Sequence, residues 1–306
     1  MGTAANHTSP TARPTVADWV AGARPRTLPA AVVPVAVGAA CAAGTGEAFG
    51  DDVVWWRVAA ALAVALLLQI GVNYANDYSD GVRGTDDVRV GPMRLVATGT
   101  ASPAAVKRAA LGVLAAAAVV GLVLAIATSW WLLAVGALAI VAAWGYTGGP
   151  KPYGYLGLGE VFVFVFFGLV ATVGTTYVAF ERVPAVTWVA ATGVGFLACA
   201  LLVVNNLRDI PTDRAVGKRT LAVRLGEQRT RVLYAGLVAG SVLAAVACAR
   251  WRGWASLAIL TLVVAYDPVR KVLGGASGRE LVPVLGGTGR TQLLYGALLG
   301  VGLALG

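Results

Sequence analysis

Two groups of Asn and Asp residues, far apart in the chain, each stand where a hydrophobic segment ends. The first group consists of Asn73, Asn76, Asp77 and Asp80, and the second of Asn205, Asn206, Asp209 and Asp213. In each group an Asn precedes an Asp by four residues, and another Asp follows three or four residues later. So many polar groups are costly at a membrane boundary unless they bind a ligand. The pattern predicts one shared site for divalent cations and a phosphorylated ligand.

The spacing of the first group places its side chains on one helical face, because residues i, i+3, i+4 and i+7 are neighbours on a helix. If both helices extend one or two turns beyond the lipid, the two Asp residues of one group can face the two of the other. Hard oxygen ligands of this kind suit Mg²⁺. The candidate metal ligands are Asp77, Asp80, Asp209 and Asp213. The alternative is a solvated, cytosol-facing loop with local pairs such as Arg208–Asp209.

Basic residues on predicted inner loops could complete this site. They are Arg83, Lys151, Lys218 and Arg219. Metal ions together with Lys and Arg neutralise a departing diphosphate in many enzymes. Lys151 is the strongest catalytic candidate among them, because it lies between two prolines in a short loop that constrains its backbone. For each of these residues, a general excess of basic residues on the inner side is the competing explanation.

Aromatic residues and one acid lie at the same boundary. Tyr146 and Tyr153 are candidates to line the substrate site, where a ring face could stabilise a carbocation. An interfacial belt of aromatic residues is the alternative. Glu160 begins a predicted span, and it could orient a hydroxyl group of an acceptor or simply mark the start of the helix. The four Asn residues of the two polar groups are further candidates for substrate binding.

The elements that must position these residues are membrane-spanning helices. The chain has 306 residues, of which 58% are hydrophobic and 13% charged, with a mean hydropathy of +0.75. A soluble domain would carry about 25% charged residues, and apolar runs of about 20 residues match the thickness of a bilayer. The sequence predicts an all-α, polytopic transmembrane bundle of about nine helices around a central cavity. The spans are predicted near residues 28–46, 53–75, 105–127, 129–146, 158–180, 185–206, 230–249, 254–269 and 289–306.

The distribution of charge predicts the topology of this bundle. The chain has 24 Lys and Arg residues against 15 Asp and Glu residues, and most of the basic ones fall on alternate loops. Such asymmetry places these loops, both Asp groups and the amino terminus in the cytoplasm, and it explains the positive charge better than nucleic-acid binding does. Residues 1–20 are predicted to be a disordered cytoplasmic tail, and residues 21–306 a single transmembrane domain.

Several segments together resemble one known family. They are residues 24–29, 76–86, 91–96, 146–152, 157–160, 205–209 with 217–221, and 278–283. The pattern Asn76-Asp77-x-x-Asp80 with Asp209-x-x-x-Asp213 is similar to that of the UbiA-type intramembrane prenyltransferases. The match is closer to one branch, the 1,4-dihydroxy-2-naphthoate polyprenyltransferases of menaquinone synthesis. The segments run from the first span to the last inner loop.

The resemblance implies a function and its cofactor. It implies Mg²⁺-dependent transfer of a polyprenyl group from polyprenyl diphosphate to 1,4-dihydroxy-2-naphthoate, with loss of CO₂ and diphosphate, giving demethylmenaquinol. Two Mg²⁺ ions held by the four Asp residues would face the diphosphate, and Arg83, Lys151 and Lys218 would take more of its charge. It also implies a multi-pass protein of a bacterial-type plasma membrane, whose partners are the two substrates and the lipid bilayer. No nucleic acid and no obligatory protein partner are implied.

The chain departs from the general family pattern at one place. A third Asp usually follows four residues after the second, where this chain has Gly84. Asp86 and Asp87 follow instead, as in the naphthoate branch, so their role toward a metal stays open. The length of the prenyl chain and the oligomeric state also stay open.

Three other functions compete with this interpretation. The nearest is transfer to another aromatic acceptor, such as 4-hydroxybenzoate or homogentisate. A CDP-alcohol phosphotransferase shares the pattern Asp77-x-x-Asp80-Gly81, but the stretch after Gly91 lacks the further Asp residues that such an enzyme needs. A membrane transporter with paired Asn/Asp sites belongs to a different class. Long basic loops beside the polar groups favour chemistry at the membrane surface over transport.

Overall fold

The computed structural model describes residues 14–45, 50–84 and 94–306, and all regular elements within these ranges are helical. The helices are α1 Val16–Ala23, α2 Pro29–Ala43, α3 Trp55–Val82, α4 Pro103–Ala127, α5 Trp131–Gly145, α6 Gly159–Val163, α7 Ala171–Phe180, α8 Ala185–Ala215, α9 Leu221–Cys248, α10 Thr261–Leu273 and α11 Leu281–Leu305. A π-helical segment, Phe164–Val170, joins α6 and α7 into one rod. Short 3₁₀ turns are Pro25–Thr27, Tyr153–Leu156, Gly253–Leu260 and Gly278–Glu280. The predicted all-helical class is confirmed.

Five of the described helices are long and apolar enough to cross a membrane: α3, α4, the α6–α7 rod, α8 and α9. The bent pair Val16–Thr27 and Pro29–Ala43, with an angle of 53° between its halves, could form a sixth span. Helix α5 has only 15 residues, or about 22 Å at 1.5 Å per residue, which is less than the roughly 30 Å of a hydrocarbon core. Every predicted span overlaps a helical segment, but nine crossings are not established.

Helices α3 and α8 extend well beyond the predicted ends of their spans. Helix α3 has 28 residues and ends at Val82, while α8 has 31 residues and ends at Ala215. Their lengths are about 42 Å and 46 Å, so each is longer than the hydrocarbon core. Both helices continue about two turns past the predicted span ends, and Asp77, Asp80, Asp209 and Asp213 lie on these extensions. That the extensions project beyond the lipid stays a prediction.

Helix α8 lies at the centre of the bundle. Within its most apolar 18-residue stretch, 67% of the residues are buried, whereas the value is 28% for α3, α4 and the α6–α7 rod. Close approach of the rod depends on small residues, because a Cβ on Gly168 would lie 2.6 Å from the Cα of Gly195 in α8. The main hydrophobic core joins α8 to α2, α9, α10 and α11. The central helix therefore fixes the position of the second polar group.

The first helix begins inside the segment predicted to be a disordered tail. Helix α1 starts at Val16, where Thr15 and Asp18 form a reciprocal capping box. The predicted boundary at residue 20 therefore does not coincide with the start of ordered structure among the described residues. Residues 1–13 lie outside the described ranges, and the division into a tail and one domain stays a prediction.

At the end of the bundle opposite the Asp groups, one arginine side chain connects three helices. Arg57 of α3 donates hydrogen bonds to the carbonyl oxygen of Ala127 at 2.6 Å and of Val178 at 3.3 Å. It also pairs with Glu181 at 2.6 Å, although the Glu181 side chain is 59% exposed. These contacts connect α3 to the ends of α4 and α7. They fix how far α3 extends along the bundle axis.

We expect Arg57→Ala to lower the free energy of unfolding by about 1–3 kcal/mol, because two carbonyl groups lose a charged donor. Thermal unfolding of the purified protein in detergent measures this loss. Glu181→Gln is the matched control, since it removes only an exposed ion pair and should cost at most about 1 kcal/mol. Equal melting temperatures for the two variants would contradict the role given to Arg57.

Candidate active site

The first polar group is buried at the end of α3. Asn73, Asn76, Asp77 and Asp80 are 3%, 7%, 0% and 2% exposed, respectively. Since buried polar side chains need hydrogen-bond partners, their contacts indicate what each one does. The alternative of a solvated loop is therefore wrong for this group. The four side chains nevertheless divide into two sets. Asn73 and Asp77 hold the segments that flank α3, whereas Asn76 and Asp80 bind polar side chains of the loops after α5 and α8.

Asp77 and Asn73 bind backbone or loop atoms next to α3. The Asp77 carboxylate accepts hydrogen bonds from the amides of Leu95 at 2.8 Å and Val96 at 3.1 Å. Asn73 donates to the carbonyl oxygen of Ala23 at 2.9 Å and to the hydroxyl of Thr27 at 3.0 Å. Both residues thus position segments that flank the site. A direct role of Asp77 in metal binding or of Asn73 in substrate binding stays a prediction.

Asp80 is the meeting point of three distant parts of the chain. Its carboxylate accepts hydrogen bonds from the Tyr155 hydroxyl at 2.6 Å and from Lys218 Nζ at 3.2 Å. Arg94 Nη2 lies 3.8 Å from the other carboxylate oxygen. Lys218 and Arg94 are each 7% exposed. Charge-assisted contacts of this kind are strong where water is excluded, so they hold the three segments together.

The ring of Tyr155 lies close to two cations. Lys218 Nζ is 4.6 Å and Arg83 Cζ 5.5 Å from the ring centroid, within the range of cation–π attraction. Arg83 also donates to the carbonyl oxygens of Thr147 and Gly149. Tyr155 therefore gathers two predicted site residues, Arg83 and Lys218, beside the Asp80 carboxylate.

The second polar group contains a buried ion pair. Arg208 Nε and Nη2 donate to the two Asp209 carboxylate oxygens at 2.7 and 2.8 Å, and Nη2 also reaches Asn205 Oδ1 at 2.9 Å. The Arg208–Asp209 pair exists, as the alternative interpretation supposed, but it is buried and not solvated. Farther along, the Lys218 amide donates to the Asp213 carbonyl oxygen at 2.8 Å. This contact closes the loop that carries Lys218 back toward α3.

The four Asp side chains do not converge on one point. Within the ranges 14–45, 50–84 and 94–306, no group of three or more His, Cys, Asp or Glu residues lies close enough together to hold a metal ion. The four carboxylates therefore do not form a ready metal site in this arrangement, and their role as metal ligands stays a prediction. The physical reason is that three of the four charges have partners of their own, with Asp77 on backbone amides, Asp80 on Lys218 and Asp209 on Arg208. Asp86 and Asp87 lie outside the described residues.

The site nevertheless has donors that fit Mg²⁺. Asp80 and Asp209 offer buried carboxylate oxygens, and Asn76 and Asn205 offer amide oxygens on the same two helices. Such oxygen donors are the ones Mg²⁺ prefers. Lys218 and Arg94 at present supply the positive charge that Asp80 needs. The chemistry of the donors thus fits a magnesium ion that arrives together with an anionic ligand.

Lys151 and Arg219 lie at the edge of the site. Both are exposed, and the hydrogen bonds described for this part of the chain give the Lys151 side chain no partner. The Lys151 loop is nevertheless held near α3, because the Thr147 hydroxyl donates to Asn76 Oδ1 at 2.7 Å. The Arg219 amide donates to the Tyr155 carbonyl oxygen at 3.0 Å. Arg219 thus holds the Tyr155 turn through its backbone, and the catalytic role of Lys151 stays a prediction.

Tyr146 and Tyr153 belong to a row of packed rings. Their ring centroids are 5.5 Å apart in an edge-to-face contact, and Tyr153 stacks on Phe162 at 3.9 Å. The Tyr153 hydroxyl donates to the Ala142 carbonyl oxygen at 2.9 Å. Burial raises the pKa of this hydroxyl above its ordinary value, so it stays protonated as a donor. The row connects the polar site to the α6–α7 rod, which makes it a candidate wall for an apolar substrate.

Glu160 and Asn206 form a separate buried pair. Asn206 Nδ2 donates to Glu160 Oε1 at 3.0 Å, which joins the start of the α6–α7 rod to α8. Both residues are at least nine-tenths buried. The sequence analysis considered them separately, Asn206 as part of the second polar group and Glu160 as a lone acid, and the structure brings them into direct contact.

Sequence reasoning missed Tyr155 and Arg94 as site residues. Tyr155 had the appearance of one more aromatic residue at a membrane interface, and the sequence around it carries no spacing that indicates a partner on α3. Arg94 is one of several basic residues on the predicted inner loop, with Arg83 and Arg89 before it and Lys107 after it, so nothing distinguished it from these. Their role becomes visible only in the folded structure, where both side chains lie beside Asp80.

The UbiA prenyltransferase family matches residues 31–271 of the chain. The chain belongs to this family. Membership separates it from the CDP-alcohol phosphotransferases and from the transporters that the sequence left as rivals. The family match includes both polar groups, the Tyr155 turn and Lys218.

Curated relatives extend the likeness along almost the whole chain. A 1,4-dihydroxy-2-naphthoate octaprenyltransferase from Mycobacterium tuberculosis is 51% identical over 290 residues, which cover 95% of this chain and 98% of the relative. The octaprenyltransferase of the same name from Escherichia coli is 40% identical over 240 residues, or 74% of each chain.

Solved structures share the fold at low sequence identity. A UbiA homolog from Archaeoglobus fulgidus bound to GPP and Mg²⁺ superposes with a TM-score of 0.66 at 16% identity, covering 92% of this chain and 99% of that one. The apo structure of a UbiA homolog from Aeropyrum pernix K1 gives a TM-score of 0.68 at 17% identity, covering 90% and 97%. The helical bundle is therefore that of the family.

We expect Tyr155→Phe to lower the free energy of unfolding by about 1.5–3 kcal/mol, because the buried Asp80 carboxylate loses a hydroxyl donor while the ring remains between its two cations. Tyr155→Ala should cost a further 1 kcal/mol or so through loss of the cation–π contacts. Thermal unfolding in detergent measures both. Tyr266→Phe is the matched control, since Tyr266 is an exposed ring beside Arg270. The contact with Asp80 would be unimportant if Tyr155→Phe melted like this control.

Proposed function

We propose that the protein transfers a polyprenyl group from polyprenyl diphosphate to 1,4-dihydroxy-2-naphthoate, releasing CO₂ and diphosphate and giving demethylmenaquinol. The buried contact of Asp80 with Tyr155 and Lys218 is the observation that carries this proposal, because it assembles an anion site at the end of a membrane bundle. The relatives named as naphthoate octaprenyltransferases support the choice of acceptor.

The diphosphate of the donor binds beside Tyr155. Arg83 and Lys218 both contact the Tyr155 ring, and Arg94 is within 3.8 Å of Asp80. An arginine offers a planar set of donors suited to phosphate oxygens, and a lysine adds a point charge. When a diphosphate enters, these cations turn from Asp80 and the ring toward its oxygens.

Asp80, Asp209 and Asp213 would hold Mg²⁺ in this complex, with Asp77 positioning the turn at Leu95. A bound magnesium ion supplies positive charge that lowers the energy of the leaving diphosphate. The Asp carboxylates, which no longer pair with cations of the protein, then balance the positive charge of the magnesium ion. The homolog from Archaeoglobus fulgidus bound to GPP and Mg²⁺ supports the choice of Mg²⁺ as the ion that accompanies the prenyl diphosphate, and we further propose that two ions bind.

The reaction proceeds through the loss of diphosphate. As the allylic C–O bond breaks, its electron pair leaves on the diphosphate oxygen, where Lys218 and Arg83 stabilise the added charge. The acceptor ring forms the new C–C bond at the carbon that bears its carboxylate. That carboxylate leaves as CO₂, and the electrons of its C–C bond restore the aromatic ring. Rings such as Tyr146 and Tyr153 exclude water from the allylic cation.

The place of the site in the bundle fits substrates of mixed polarity. The diphosphate stays at the polar ends of α3 and α8, which extend beyond the hydrocarbon core. The long prenyl chain passes between apolar helices into the lipid. We propose that this end of the bundle faces the cytoplasm in a bacterial-type plasma membrane, since most of the basic residues of the chain lie on its loops.

We expect the purified protein to form the prenylated quinol from polyprenyl diphosphate and 1,4-dihydroxy-2-naphthoate in the presence of Mg²⁺, and to lose this activity on chelation with EDTA. Lys218→Met should lower kcat/KM roughly 100-fold, as for loss of one donor to a developing anion. Chromatography of the quinol product measures both effects. Lys271→Met is the matched control, because Lys271 pairs with Asp267 at an exposed surface.

Two outcomes would contradict the proposal. One is faster turnover of 4-hydroxybenzoate or homogentisate than of the naphthoate, which would assign a different acceptor. The other is unchanged activity in Lys218→Met, which would remove the anion site from the mechanism.

A further inference from the structure

One carboxylate in the bundle has an unused hydrogen-bonding oxygen. Glu160 is 8% exposed, and its Oε1 accepts a hydrogen bond from Asn206 Nδ2 at 3.0 Å. Its Oε2 is buried and has no hydrogen-bond partner among the described residues. A buried carboxylate oxygen without a donor is costly, so a donor from outside the chain is expected there.

The helix start does not explain this arrangement. Glu160 lies in the first turn of α6, where an acidic residue gains from the helix dipole. That gain needs neither burial nor an amide partner on another helix. The residue before the helix, Leu158, provides no side-chain cap, and Glu160 points to α8 instead, where Asn206 orients its carboxylate. The side chain is thus held with one oxygen in place and one available.

The position of the pair relative to the diphosphate site suits the second substrate. Asn206 precedes Asp209 by three residues on α8, which is about 4.5 Å along the helix axis and away from its polar end. The Tyr146 ring lies against the neighbouring Gly159, where an added Cβ would be 3.3 Å from Tyr146 Cε2. The aromatic ring of Tyr146 and the carboxylate of Glu160 therefore lie near each other, about one helical turn from Asp209 in the direction away from the polar end of α8.

The next segment of the same rod is irregular. Phe164–Val170 is π-helical, and such widened turns occur often at functional sites. The Cys199 thiol donates to the Glu160 carbonyl oxygen at 3.1 Å, which holds the backbone before this irregular turn. The local structure thus fixes Glu160 from both its side chain and its backbone.

We propose that Glu160, oriented by Asn206, binds a ring hydroxyl of the aromatic acceptor. This inference rests on the proposed function, since it takes a hydroxylated aromatic acid as the second substrate. The hydroxyl donates to Glu160 Oε2, while the acceptor ring packs beside Tyr146. A hydrogen bond to a carboxylate also increases the electron density of the ring, which favours its attack on the allylic carbon. No proton needs to leave the hydroxyl.

The test compares acceptors that differ by one hydroxyl group. Inhibition constants are measured for 1,4-dihydroxy-2-naphthoate analogues in which either hydroxyl is replaced by hydrogen, in the wild type and in Glu160→Gln. We expect Glu160→Gln to weaken binding of the dihydroxy acid about tenfold or more. For one of the two monohydroxy acids the variant should bind as the wild type does, because the missing hydroxyl is the one that Glu160 holds. The KM for the prenyl diphosphate should stay within about twofold.

Control variants separate a local defect from the proposed contact. Cys199→Ala removes a bond to the Glu160 backbone and leaves its carboxylate, so it should not distinguish the three acids. If Glu160→Gln does not fold, Glu160→Asp withdraws the carboxylate by one methylene group and should show the same selective loss. Equal weakening of all three acids in the variants that fold, or no weakening at all, overturns the inference. A wild type that neither binds nor uses a prenyl diphosphate would instead overturn the proposed function.

Discussion

The burial of the Asp80 carboxylate is the constraint on which the polar end of the bundle depends. A charge that is 2% exposed must be matched by donors or cations inside the protein. Tyr155 and Lys218 provide them from two distant parts of the chain, so the Tyr153–Leu156 turn and the loop after α8 are fixed against α3. The same contacts bring Arg83 to the Tyr155 ring. Matching one carboxylate thus assembles a site for an anion.

Charged contacts at both ends give α3 a defined position along the bundle axis. Arg57 joins its first turn to the ends of α4 and α7, and Asp80 joins its last turns to the loops at the other end. Asp80 follows Arg57 by 23 residues in the same helix, or about 35 Å, close to the roughly 30 Å of a hydrocarbon core. A hydrocarbon core would therefore fit between the two charges, and pairing charges near a membrane boundary is less costly than pairing them at its centre. The apolar middle of α3 can face lipid without displacing the site.

The sequence predicted what depends on local geometry and apolar length. The spacing of Asn73, Asn76, Asp77 and Asp80 predicted a helical polar face, and hydropathy predicted helical segments for every span. The side-chain partners depend on how distant segments return, which spacing does not specify. Asp77 therefore accepts a hydrogen bond from the amide of Leu95, whereas the spacing had suggested that it faces other carboxylates. Tyr155 was overlooked for the same reason, since its partner lies 75 residues away in sequence.

The distance between a bound diphosphate and Lys218 tests the central claim most directly. It is measured in an experimental structure of the protein with Mg²⁺ and a prenyl thiolodiphosphate that cannot ionise readily. The account predicts diphosphate oxygens within hydrogen-bond distance of Lys218 Nζ, about 2.7–3.2 Å, and beside the Tyr155 ring. A diphosphate bound away from this ring, with Lys218 still on Asp80, would contradict it.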